Sequence, residues 1–346
     1  MRSIARRLRV LAVFLPAMFL LAPPRGADAQ EKLKFSFFAP PAHNHYQNVI
    51  LPWAEELKKR TGGKVELTLF PGGALCKPLQ QYECARDGIA DLAWGLPGWT
   101  PGKFPASGVI ELPFMFRTAA IGSQILADLW ERHLRKEYDD VHVLYMHTHP
   151  AGHIHTHSKP VRTMDDLKGL KIRTPTAVIG DLLQLLGATQ VGMPTGQIYE
   201  SMRSRVLDGF VIPFEAVPPF RLQEVTKYHT ETTMYSSAFA LYMNKAKYQA
   251  LPPDVRKALD ETTAPGAGAW KRIGEVWDRA EGAGRKMLVD QGHEVITLPK
   301  EERRRWQQAA RALDEKFAAD LEGKGLPGRT LVKEARELSA KYGEAE

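Results

Sequence analysis

The chain has 346 residues, a formal net charge of +7 and two cysteines. Five arginines and one aspartate of that charge fall in residues 1–29, so the rest of the chain keeps only +3, which excludes a nucleic-acid-binding surface. The 317 residues that remain when 29 are taken from 346 exceed what one hydrophobic core supports and predict two domains, and no later stretch approaches the apolar length of a membrane helix.

Residues 1–29 read as a secretory signal peptide. Arg2, Arg6, Arg7 and Arg9 form a basic region, residues 10–21 an apolar core too short to span a bilayer, and Ala27-Asp28-Ala29 a cleavage site. The mature protein is expected to begin near Gln30 and to reside in the periplasm.

The first third of the mature chain alternates strand and helix. Residues 34–38 form a strand ended by Pro40-Pro41, 46–60 an amphipathic helix ended by Thr61-Gly62-Gly63, and 65–70 a strand ended by Pro71-Gly72-Gly73. A helix over 78–87 and a strand over 92–96, closed by Pro97, complete a βαβαβ unit. Cys76 and Cys84 fit neither a zinc site nor a redox motif; in an oxidising compartment they can pair only if Cys76 lies in the loop before Pro78, because both in one helix would be too far apart. A helix over 125–134 and a strand over 141–146 follow, and 147–161 crosses towards a second unit.

Residues 170–215 repeat the pattern. A strand over 170–173 is stopped by Pro175, a helix over 178–186 is followed by Gly187, and a strand over 190–193, a short helix over 197–204 and an apolar strand over 206–212 follow, the last broken by Pro213. RDGIADLAWGLP and SRVLDGFVIP share one punctuation: helix end, Asp, apolar strand, proline. Two such units predict an α/β protein of two similar lobes with a cleft between them. Residues 238–243 are expected to return to the first sheet, Leu251-Pro252-Pro253-Asp254 opens a helical region, and 266–290 is long enough to span both lobes. The predicted division is 30–150 plus 238–278 for lobe I and 151–237 plus 279–346 for lobe II, with more than one crossing making a hinge.

Arg173 stands at the carboxyl end of its strand, the edge of an open α/β sheet where ligands bind. GGKVELTLFPGGAL, GIADLAWG, ELPFMF, DDLKGLKIRTP, LGATQVGMPTGQIYESM and LDGFVIP, in this order after a signal peptide, resemble the solute-binding subunit of TRAP (tripartite ATP-independent periplasmic) transporters. The resemblance implies a two-lobed fold like the type II periplasmic binding proteins, closing on an organic acid and delivering it to a membrane permease. It also implies a carboxylate-binding arginine in the KIR segment, here Arg173. A guanidinium fork matches a carboxylate and stays charged, and the bland alternative is an arginine paired with a carboxylate of the protein itself.

Two departures from the family bear on the ligand. Many members carry another arginine where this chain has Gly152-His153-Ile154-His155, and many binders of sialic acid or dicarboxylates have Gln-Glu-Asn-Pro after the Asp-Gly, where this chain has Phe210-Val211-Ile212-Pro213. The losses predict a monocarboxylate with an apolar or aromatic body, such as a 2-oxo or 2-hydroxy acid. Phe38, Trp94, Trp99 and Phe214 at or just past strand ends are candidate aromatic walls, with His43, His45, His153 and Glu215 as polar contacts; ordinary core packing is the competing reading for the aromatics and exposed loop positions for His43 and His45.

Two other classes compete with this reading. His147, His149, His153, His155 and His157 suggest a metal-binding protein, since alternate residues of a strand share a face, although a half-exposed strand gives the same alternation. A secreted enzyme would need a grouped nucleophile and base, and the sequence has no HExxH, no GxSxG and no Walker loop. The expectation is therefore a monomeric binding protein without cofactor or catalytic residues.

Overall fold

The computed structural model describes residues 30–343; the signal peptide assigned to residues 1–29 lies outside them. Eleven strands form two sheets among the described residues. β1 (Glu31–Phe37), β2 (Val65–Phe70), β3 (Leu92–Gly95), β4 (Val141–Thr148) and β10 (Ala238–Asn244) make the first, in the order β2-β1-β3-β10-β4. The second contains β5 (Gly152–Thr156), β6 (Lys171–Thr174), β7 (Thr189–Gly192), β8 (Gly209–Ile212), β9 (Tyr228–Tyr235) and β11 (Glu294–Thr297), in the order β11-β9-β5-β8-β6-β7.

The aspartate that precedes an apolar strand in each unit has one job in both lobes. Asp91 accepts a hydrogen bond from the Lys34 N–H at 2.7 Å, and Asp208 accepts one from the Lys171 N–H at 2.8 Å. Each carboxylate thus ties the entry of one central strand to its parallel neighbour, satisfying a donor that lies ahead of the ladder. β3 and β8 are buried along their whole length, which is why both read as unbroken apolar runs.

Exchange between the lobes happens through strands. β4 of the first sheet runs on into β5 of the second, and β9 of the second into β10 of the first; β5 and β10 are antiparallel to both of their neighbours. The two crossing segments are bonded to each other: the Ser237 N–H donates to His149 Nε2 at 3.1 Å, and the Ser236 hydroxyl donates to the His149 carbonyl at 2.7 Å.

The 22-residue helix Ala269–Asp290 is the third connection. Asp278 accepts hydrogen bonds from the N–H groups of Ala119 and Ala120 at 2.6 and 3.0 Å, where the Ala119–Leu129 helix of lobe I begins. One turn later Glu281 accepts from the N–H groups of Phe214 and Glu215 at 3.0 and 2.9 Å in lobe II. Residues three apart share a helix face, so one short stretch of this helix clasps a main-chain segment of each lobe. The approach is close on both sides: a Cβ at Gly274 would lie 2.4 Å from the Ala119 carbonyl oxygen, and one at Gly284 would lie 2.3 Å from that of Phe214.

The C-terminal helix Gly328–Lys341 packs against residues of the first part of the chain. Its Arg336 donates to the Pro113 carbonyl at 3.0 Å, its Ser339 hydroxyl donates to the Met115 carbonyl, and its Glu334 meets His133 at 2.6 Å. All three partners lie within 30–150, so we assign this helix to lobe I. Its apolar stripe of Leu331, Val332 and Ala335 fits any apolar surface, so the assignment of 279–346 to lobe II had no local pattern behind it. Cys76 lies in the loop before Pro78 and is bonded to Cys84, with Cα atoms 6.3 Å apart. Among the described residues, no helix is long and apolar enough to cross a membrane.

Candidate functional site

Arg173 leaves the carboxyl end of β6 and is 1% exposed. Its Nε donates to the Met193 carbonyl at 2.9 Å, Nη1 to the Val211 carbonyl at 3.3 Å and Nη2 to the Thr195 hydroxyl at 3.3 Å. These three neutral acceptors hold the guanidinium plane in place. A guanidinium has five N–H donors, so two remain for something else. No carboxylate of the described residues pairs with it, and burial pushes its pKa down to about 10. A buried, oriented cation without an acidic partner is costly unless a ligand supplies the anion.

The guanidinium lines a small cavity between the lobes. Phe38 and Leu96 from lobe I, Phe220 from lobe II, Phe239 beside the crossing and Trp277 of the long helix form its apolar walls. His43, His149, Tyr235, Ser237 and Glu215 supply polar atoms. The walls are stiff: Phe38 and Phe239 each stack on Trp94, with ring centroids 4.7 Å apart in both cases.

The charge in this cavity belongs to Arg173 alone. Burial lowers the pKa of His43 to about 3 and that of His149 to about 4, so both imidazoles are neutral near pH 7. His149 accepts from the Ser237 N–H through Nε2, leaving Nδ1 to donate to the Pro150 carbonyl. Burial raises the Glu215 carboxyl well above the usual range, and the neighbouring Glu281 adds to the effect. Burial likewise keeps the Tyr235 phenol protonated.

The lobes touch at the rim of the cavity. The Trp99 indole N–H donates to the Pro175 carbonyl at 3.1 Å, and the Thr176 hydroxyl donates to Glu111 Oε2 at 2.6 Å. Burial raises the Glu111 carboxyl to about 7. A larger space borders the same seam, lined among others by Lys316, Asp320 and Lys324, and presents no buried unpaired cation among the described residues.

Residues 35–320 match the family described as bacterial extracellular solute-binding protein, family 7. The chain belongs to this family of TRAP transporter solute-binding proteins. Similar structures include a TRAP solute-binding protein from Rhodoferax ferrireducens T118 in complex with copurified benzoate, 34% identical with a TM-score of 0.87 over 90% of this chain and 98% of that one. A marine metagenome TRAP protein specific for aromatic acid ligands, co-crystallised with 3-hydroxybenzoate, is also 34% identical, with a TM-score of 0.87 over 91% and 99% of the two chains. A Bordetella bronchiseptica protein with bound (R)- and (S)-mandelate is 26% identical, with a TM-score of 0.83 over 90% and 99%. The family consists of transport proteins that bind solutes, not enzymes.

Of the residues singled out in this TRAP protein's sequence, Arg173, Phe38, His43 and Glu215 line one cavity. Others lie elsewhere. Trp94 is fully buried one layer behind Phe38 and Phe239, its indole N–H donating to His147 Nε2 at 3.1 Å. Phe214 packs into lobe II against His153, with ring centroids 4.3 Å apart. His153 is committed to Glu281, Nε2 to Oε1 at 3.1 Å. The histidines that suggested a metal disperse: His147 meets Trp94, His149 the Ser237 N–H, His153 Glu281, and His155 the ring of His229. Tyr235, Phe239, Phe220, Trp277 and His149 were not anticipated as cavity residues. They come from the crossing segments, the end of a loop and the middle of a helix, where no local pattern marks a ligand.

Proposed function

We propose that this protein captures an aromatic monocarboxylate in the periplasm and hands it to a TRAP-type membrane permease. The observation that carries the reading is Arg173: a buried guanidinium with two free donors and no acidic partner, inside a cavity walled by Phe38, Phe220, Phe239 and Trp277. A ligand carboxylate completes the guanidinium fork in a desolvated site, while an aromatic ring replaces water against the apolar walls. A dicarboxylate would bring a second charge for which the cavity offers only neutral imidazoles and a protonated carboxyl. The relatives that bind benzoate, 3-hydroxybenzoate and mandelate support the same ligand class, and mandelate fits the expectation of a 2-hydroxy acid. Periplasmic residence rests on the extracellular family together with the signal peptide read in residues 1–29.

The strands that cross between lobes and the clasping helix support a hinge that closes on the ligand. Thermal melting with benzoate, 3-hydroxybenzoate, mandelate and succinate tests the reading. At a hundred times its dissociation constant a ligand stabilises the folded state by about 2.7 kcal/mol, so the aromatic acids are expected to raise the melting temperature by several degrees and to be recovered unchanged. No shift with any aromatic acid would refute it.

A further inference from the structure

We infer that Glu215 reads a second polar group on the ligand, a hydroxyl carried on the ring away from the carboxylate. The inference rests on the reading of the cavity as an aromatic-acid site and adds a specificity determinant to it.

Glu215 is 4% exposed and lines the Arg173 cavity, and neither of its carboxyl oxygens has a hydrogen-bond partner in the protein. The main-chain donors next to it are already engaged. Glu281 takes the N–H groups of Phe214 and of Glu215 itself, and it also takes His153. Arg173 spends three donors on Met193, Val211 and Thr195 and forms no ion pair with Glu215. Buried polar atoms are nearly always satisfied, and a bare carboxyl facing a cavity is satisfied by what enters it.

The protonation state selects the kind of partner. Burial and the nearby Glu281 keep Glu215 neutral, so its carboxyl presents one O–H donor and one carbonyl acceptor. A hydroxyl is the small group that both accepts and donates, and it matches the pair. An unsubstituted ring leaves both oxygens bare, whereas an ammonium would require the ionised form that burial disfavours. Carboxylate on Arg173 and hydroxyl on Glu215 together define the class as hydroxyaryl acids.

Calorimetry on the mature protein, its Glu215→Gln and Glu215→Met variants and Arg173→Met tests this with four ligands: benzoate, 3-hydroxybenzoate, 4-hydroxybenzoate and 3-(aminomethyl)benzoate. Circular dichroism melts check that each variant is folded. At least one hydroxybenzoate is expected to bind wild type about tenfold more tightly than benzoate, the value of one buried hydrogen bond. Glu215→Met should erase that preference, and Glu215→Gln, a neutral donor and acceptor of the same shape, should retain most of it. A preference that survives Glu215→Met, or tighter binding of the aminomethyl ligand than of both hydroxybenzoates, would overturn the inference. Benzoate binding that depends on Arg173 without any Glu215-dependent discrimination would overturn it alone. Failure of every aromatic acid to bind wild type would overturn the underlying reading as well.

Discussion

Replacing Arg173 by Met separates binding from folding. The two guanidinium donors not used by Met193, Val211 and Thr195 are available to a ligand carboxylate, and charge-assisted hydrogen bonds are each worth about 1.5 to 3 kcal/mol. Their loss predicts about 3 to 5 kcal/mol, a weakening of roughly a hundredfold to several-thousandfold. Stability of the empty protein should move far less. Burial that lowers the guanidinium pKa to about 10 works against the charged form by about 3 kcal/mol, and Met removes that burden while leaving the Met193 and Val211 carbonyls without a donor, at about 1 to 3 kcal/mol each. The opposing effects predict an apo melting temperature within a few degrees of wild type. Isothermal calorimetry with benzoate is the assay, and Arg173→Lys should recover little because the fork is lost. Binding by Arg173→Met within threefold of wild type would refute the assignment of the anion site.

Two further outcomes follow from the cavity and its surroundings. Burial holds His43, His147 and His229 at about 3 and His149 at about 4, while the same residues in an unfolded chain titrate near 6.5. Below that pH the unfolded state takes up protons the folded state refuses, so each histidine removes up to about 1.4 kcal/mol of stability per pH unit until its folded pKa is reached. Glu111, raised to about 7, and Glu215 act oppositely between pH 7 and about 4.5 but are fewer, so the melting temperature is expected to fall by at least about 5 °C from pH 7.5 to pH 5; a flat profile would contradict the burial of these imidazoles. Gly98→Ala should hold the lobes apart, because its Cβ would lie 2.6 Å from Thr176 Cγ2, and Thr176 cannot turn away without losing Glu111. Small-angle scattering with saturating benzoate should then give a larger radius of gyration than wild type, with affinity weakened about tenfold, and an unchanged profile and affinity would remove the rim contact from the closing mechanism.

The parts of this structure that the sequence disclosed are those with local punctuation. β1, β2, β3, β6 and β7 were found within a few residues because a proline follows each one. β9 was not read from the run Tyr228–Tyr235, although threonine favours strands; its hydroxyls donate to the main chain, Thr230 to Val161 and Thr232 to Gly152. β11 is four residues long and pairs only with β9, so missing one hid the other. In the site, Arg173 was legible from its place at the carboxyl end of a strand together with the resemblance to the TRAP family. Phe214 and Glu215 show the limit of such reasoning: they are consecutive, yet one packs into lobe II and the other faces the cavity. Position at a strand end says that a residue is near the ligand edge, and the direction of its side chain is decided by packing. Tyr235, Phe239 and Trp277 converge on the cavity only because the chain crosses between lobes more than once.

Competition calorimetry of benzoate and succinate in one buffer at pH 7.5 tests the central claim most directly. The cavity pairs one carboxylate with Arg173 and meets a second with His43 and His149, both neutral at that pH, and with a carboxyl that burial keeps protonated. Leaving one charge poorly paired in a closed site costs several kcal/mol, so benzoate should bind at least tenfold more tightly than succinate. Tighter binding of succinate would contradict the account, because it would require a second cationic partner in the cavity.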